Sequence, residues 1–161
     1  MALFHRRERP PAMAGLDKNE RVVSWADTAD GEVVAATQTG LWWPGPRRIL
    51  WQHIDKAIWH DGALTIIEAD VVDDLLLVDR APVTARLTTP RDLPPTVRRR
   101  VEANIARTEL VSVPGGTVRF VARRRPGRDG LTWWAHLEPG TPDSETVRSA
   151  IAARLAILRS S

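Results

Sequence analysis

The stretch Gly40-Leu41-Trp42-Trp43-Pro44-Gly45-Pro46-Arg47-Arg48-Ile49-Leu50-Trp51 decides the fold. Pro44-Gly45-Pro46 cannot continue a strand ladder, because proline brings no amide hydrogen to it. Apolar and aromatic residues flank this break on both sides, so the chain runs out, turns and returns. The same punctuation recurs further out. Asp30-Gly31 and Asp61-Gly62 are turn dipeptides, since a tight hairpin needs positive φ and Asp-Gly reaches it cheaply. Strands are therefore expected over 22–26, 32–38, 40–43, 48–51, 54–59 and 63–69. The turns fall about 8–15 residues apart, the rhythm of an antiparallel sheet or barrel.

Beyond this run the pattern changes. Asp70, Asp73 and Asp74 precede Leu75-Leu76-Leu77-Val78, and residues 70–82 read equally as strand or loop. Val83, Ala85 and Leu87 alternate with Thr84, Arg86 and Thr88, a period-two strand with one buried face. A helix follows from Asp92 or Leu93, with Pro94-Pro95 in its first turn and Val97, Val101 and Ile105 as its apolar stripe. Strands are expected again over 109–113, 118–123 and 131–137. Thr141 is the expected cap of a final helix, with Pro142 at its first position and Val147, Ile151, Leu155 and Leu158 facing inward. Ala85-x-Leu87 with Thr96-Val97-Arg98 recurs as Ala135-x-Leu137 with Thr146-Val147-Arg148, 50 residues later. Two similar strand–helix units or coincidence would each explain it.

Length and composition bound the function. A chain of 161 residues can bury a full core without staples. It has no cysteine, which excludes disulfides, thiolate metal sites and cysteine nucleophiles. The arginine-rich start has no apolar stretch after it, so it does not read as a secretory signal. No window reaches the length of a membrane span. A cytoplasmic protein with a disordered tail over 1–20 is expected. The net charge is +3, unevenly placed. Residues 22–90 carry five basic against ten acidic groups, a net of −5, and residues 91–125 nine basic against three acidic, a net of +6.

The segments Val33-Val34-Ala35-Ala36-Thr37, Gly40-Leu41-Trp42-Trp43, Arg48-Ile49-Leu50-Trp51, Ile54-Asp55-Lys56-Ala57 and Gly62-Ala63-Leu64-Thr65-Ile66 resemble bacterial pleckstrin-homology-like (PH-like) domains. The whole chain is similar to a family of actinobacterial proteins with this arrangement. The resemblance covers about residues 21–107. It implies an α+β fold: a bent, seven-stranded antiparallel barrel closed by a helix, here 94–107. A smaller strand-strand-strand-helix lobe over 108–161 would pack on it. Some members of the superfamily bind phosphoinositides through basic residues in the first hairpin loop. Here that loop is Asp27-Thr28-Ala29-Asp30-Gly31, which is acidic, so phosphoinositide binding is not expected there. The fold hosts many functions and leaves this one open.

Candidate sites divide by chemistry. Adjacent Trp42/Trp43 and Trp133/Trp134 must face opposite sides of their strands, so one of each pair should leave the main core. Such rings serve either as a binding surface or as packing under a helix or tail. Arg98 and Arg99, with Arg100, lie on the helix; Arg123, Arg124, Arg125 and Arg128 lie at a hairpin tip. These arginines with Trp134 and Trp42 are the candidate binding residues, able to pair with phosphate oxygens or to be merely solvated. Docking on the acidic residues 70–74 is the intramolecular alternative. His5, His53, His60 and His136 show no metal-ligand spacing, and the aspartates lack a calcium-loop pattern. No phosphate loop, nucleophile elbow or paired acid and base stands out. The expectation is a non-catalytic protein-interaction module without cofactors, with nucleic-acid or anionic-surface binding through 98–128 as the alternative.

Overall fold

The computed structural model describes residues 13–125 and 129–160. The strand-rich run forms β1 (Val22–Thr28), β2 (Val33–Thr37), β3 (Gly40–Trp43), β4 (Arg47–Leu50), a 3-10 turn (Trp51–His53), β5 (Ile54–His60) and β6 (Ala63–Val71). Then come β7 (Leu76–Asp79), β8 (Val83–Thr89), α1 (Leu93–Asn104), β9 (Ile105–Val113), β10 (Gly116–Arg124), β11 (Leu131–Leu137) and α2 (Glu145–Ser160). The fold is mixed α+β. Asp61 and Gly62 both take positive φ, 49° and 73°, as a two-residue turn twisted to match its strands requires.

Residues 70–82, ambiguous in sequence, are a hairpin arm. Asp73 Oδ1 accepts the amides of Leu75 and Leu76 and folds the turn that launches β7. The strand β7 then has two roles. It pairs antiparallel with β6 and parallel with β11. The result is one eleven-stranded sheet in the order β4-β3-β2-β1-β8-β6-β7-β11-β10-β9, with β5 branching off β6. The sheet does not close, for β4 and β5 do not pair.

Two cores form on this sheet. The first gathers Ala26, Leu41, Trp43, Ile49, Ile54, Ile66 and Leu87 with Leu93, Val97 and Val101 of α1. The second gathers Val118, Phe120, Ala122, Trp133 and Ala135 beneath Val147, Ile151, Leu155 and Leu158 of α2. Strand alternation sends the neighbouring residues to the opposite face. Arg119, Val121 and Arg123 of β10 therefore lie with Thr132, Trp134 and His136 of β11, turned toward the first lobe. Sharing one sheet and meeting through that face, the lobes are built as a continuous body.

Three expectations change in detail. Ile105 does not extend the α1 stripe; its backbone is extended and it pairs with Arg123 as the first residue of β9. Strand pairing outcompetes another helical turn at a β-branched residue, so the boundary drawn at 107/108 falls inside β9. The cap of α2 is Ser144, whose Oγ accepts the Val147 amide, not Thr141. Thr141 is already engaged by Thr117, accepting its amide and donating to its carbonyl, both at 2.9 Å. Finally, α2 lies on β11, whereas α1 packs chiefly on β5 and the 3-10 turn. The 50-residue recurrence therefore does not mark two like units. Of the tail expected over 1–20, residues 13–20 are described, and Glu20 within it is buried.

Candidate functional site

The 3-10 turn, the last turn of α1 and the end of β10 converge, and arginines project where they meet. A cavity of about 370 Å³ lies between Gln38, Leu50, Gln52, Ala103 and Asn104, with Arg48, Arg100, Arg124 and Arg125 on its walls. A second, of about 220 Å³, shares Gln52, Arg124 and Arg125 and is floored by Arg123, Thr132 and Trp134. A third, of about 570 Å³, shares Arg125 and adds Arg107, Trp133 and Arg159. Across the three, Asp17 of the first cavity is the sole lining carboxylate among the described residues.

Local structure fixes each cation. Arg124 donates its Nε to the Ala103 carbonyl at 3.0 Å, and Arg125 its Nε to Thr132 Oγ1 at 3.2 Å. Arg100, Arg124 and Arg125 make no ion pair among the described residues. Arg48 differs, being held by Asp17 and Glu20 at 2.8 and 3.0 Å. Arg123 is 1% exposed and bonds Asn104 Oδ1 and the Ile54 carbonyl at 3.0 and 3.1 Å. Burial pulls its pKa down, with Asp55 opposing; a guanidinium keeps its charge regardless. It is a buried strut under the groove.

The sequence candidates are thus partly brought together. Arg123, Arg124, Arg125 and Trp134 meet in one cavity, and Arg128 lies outside the described residues. Arg98 and Arg99 do not join them. Arg98 pairs with Glu102 and lines a separate apolar hollow beside Trp59, and Arg99 bonds Thr96. The helix arginine that does reach the groove is Arg100, because one residue on α1 is a rotation of about 100°. The acidic residues 70–74 hold other arginines: Asp70 takes Arg80, Asp73 takes Arg148, and the Asp74 carbonyl takes Arg159.

Trp42 leaves the main core as alternation demands, yet it is buried. Residues of the N-terminal segment cover it, and its Nε1 donates to Glu20 Oε2 at 3.3 Å. Glu20 also accepts from Thr37 at 2.6 Å, from Thr39, from the Asp17 amide and from Arg48. Burial raises its pKa, but the bonds from Thr37, Thr39, Asp17 and Trp42 together outweigh this and hold it at about 2. The carboxylate clamps residues 17–20 to β2 and β3.

A second polar cluster lies at the lobe junction. Arg119 meets Asp55 at 2.9 and 3.0 Å and Glu138 at 3.0 Å. One ligand atom each from Asp55, Asp79 and His136 lie within 4.8 Å of one another. Burial, then the hydrogen bond with Asp79, pushes the Asp55 carboxyl up. Asp79 is held down: burial works against it, but its contacts with His136 and Asp55 prevail. These residues come from β5, β7 and β11, so no sequence spacing announces them. The residues that could hold a metal are these three. No family model, curated protein or solved structure matches the chain.

Proposed function

We propose that this chain is a binding module, PH-like in its first lobe, that takes an acidic protein segment in its arginine groove. One observation carries the reading: three contiguous cavities carry Arg100, Arg107, Arg124, Arg125 and Arg159, with Asp17 as the only lining carboxylate among the described residues. Packing like charges together costs stability, and a carboxylate-bearing partner would offset that cost. The seven strands β1 to β6 and β8, with α1 over one end of their core, fit the PH-like resemblance. The groove lies beside that helix, away from the first hairpin. There Asp30 and Glu32 are exposed, a poor surface for a lipid phosphate.

A peptide fits better than a nucleic acid. The Gln52 amide can bond a peptide backbone, and Leu50 and Ala103 give apolar wall, whereas the Gln38 and Asn104 amides are already bonded within the chain. Grooves for single strands stack successive bases on several aromatic rings. Of the rings lining the three cavities, Trp51 and Trp133 are buried, which leaves Trp134 and the His53 imidazole of the second cavity as stacking surface among the described residues. A cytoplasmic setting belongs to the same reading, and no described helix is long and apolar enough to cross a membrane.

The test is fluorescence anisotropy with a labelled polyglutamate peptide and a labelled oligothymidine, at low and high salt. Salt-sensitive peptide binding that drops at least tenfold in the double variant R124E/R125E is the expected result. Tighter binding of the oligonucleotide would replace the protein partner with a nucleic acid. No binding of either at low salt would end the reading.

A further inference from the structure

His136 is 2% exposed, and neither of its ring nitrogens makes a hydrogen bond among the described residues. A buried imidazole with no hydrogen bond is costly and calls for an explanation. Its Nδ1 stands 3.6 Å from Asp79 Oδ1. That is too long for a hydrogen bond. It is close to the separation of two ligands on one tetrahedral ion, about 3.3 Å for metal bonds of about 2.0 Å. Asp55 completes the trio from the other lobe.

We infer that Asp55, Asp79 and His136 form a binding site for a divalent transition-metal ion, of which Zn²⁺ is the best match, at the junction of the two lobes. One imidazole nitrogen and two carboxylate oxygens are a donor set that suits Zn²⁺. Three protein ligands leave a further position for water. The surroundings are those of a supported site. Arg119 orients Asp55, and Glu138 orients Arg119 at 3.0 Å, the outer layer that ligating carboxylates usually have. Three carboxyl groups, Asp55, Asp79 and Glu138, stand beside the guanidiniums of Arg119 and Arg123, and a bound metal would displace any proton held between Asp55 and Asp79. The metal would take one Asp55 oxygen and leave the other to Arg119. Asp79, with its side chain 38% exposed, gives the route in from solvent.

The position has a consequence. Asp55 belongs to β5 and His136 to β11, so an ion held by both would tie the first lobe to the second. This inference is independent of the arginine groove, and neither depends on the other's outcome.

Titrate the full chain, cleared of metal with a chelator, with Zn²⁺ by calorimetry, and follow the imidazole signals by nuclear magnetic resonance. One equivalent is expected to bind, to shift the His136 signal and to raise the unfolding temperature. Asp79→Asn, at a part-exposed position, is expected to weaken binding at least tenfold, while His60→Ala, at an exposed histidine, leaves it unchanged. Zn²⁺ binding of equal strength in Asp79→Asn would overturn the site. So would an unmoved His136 signal in the unaltered chain, which needs no variant to fold.

Discussion

Arg119 reaches across the lobe junction and places one terminal nitrogen 3.0 and 2.9 Å from the two oxygens of Asp55, a residue 64 positions earlier. The Asp55 side chain is fully buried and that of Arg119 only 18% exposed. Such a pair adds little net stability over an apolar replacement, but removing one partner strands the other charge. Arg119→Met is therefore expected to cost about 3 kcal/mol by urea denaturation. The double variant with Asp55→Asn should recover part of that loss. A double variant whose cost is the sum of the single costs would show that the two residues do not act together.

Acid should loosen the N-terminal segment. Glu20 has a folded-state pKa of about 2 against an ordinary 4.5. A carboxyl lowered by folding stabilises fully above its unfolded pKa, and the gain drains away as pH falls through the folded one. The window is thus pH 4.5 down to 2, and the shift corresponds to about 3 kcal/mol. In Glu20→Gln this part of the acid sensitivity should vanish. Chemical denaturation midpoints of both proteins between pH 2 and 6 are the measurement. Parallel curves would mean that Glu20 is not the group responsible.

The strands were legible because their turns are chemical. Asp61-Gly62 needs positive φ and takes it, and Val147, Ile151, Leu155 and Leu158 fall on one helical face and are buried there. What stayed hidden depends on partners far along the chain. Nothing near Leu76 says that β7 will pair with Ala135 and His136, the pairing that carries the sheet from one lobe into the other. Glu20 reads as part of a charged tail until Thr37, Thr39 and Trp42 converge on it. The arginine run was visible, yet which residues reach one groove depends on helix rotation and burial. Arg123 turned inward and Arg100 joined in place of Arg98 and Arg99.

That rotation can be tested directly. Arg100→Glu should weaken acidic-peptide binding severalfold and lower its salt dependence. Arg98→Glu, a change of the same charge two residues away, should have little effect beyond general electrostatics. On α1, Arg98 is exposed and Arg100 half-buried beside the cavity, so neither reversal should unfold the chain. Matched titrations at several salt concentrations give the comparison. Equal losses in the two variants would mean that the peptide responds to net charge and not to the groove.

Gly116 is fixed by what stands over it. A Cβ added there would meet Thr141 at 2.1 Å from Oγ1, 2.7 Å from Cβ and 2.9 Å from Cα. The Cα distance matters most, since no rotamer of Thr141 relieves a clash with its own backbone. Thr141 is also bonded at both ends to Thr117, so the connection into α2 cannot step back without losing those two bonds. Gly116→Ala is thus expected to cost about 2 kcal/mol, the sum of two modest hydrogen bonds and local strain. Placing the alanine in a Thr141→Gly background should relieve the contacts with Oγ1 and Cβ but not the one with Cα. The cost of the alanine should then fall without disappearing, as read from urea midpoints of the four proteins in the cycle. An unchanged cost in that background would mean the penalty comes from backbone, that of residue 141 or of residue 116 itself, and not from the Thr141 side chain.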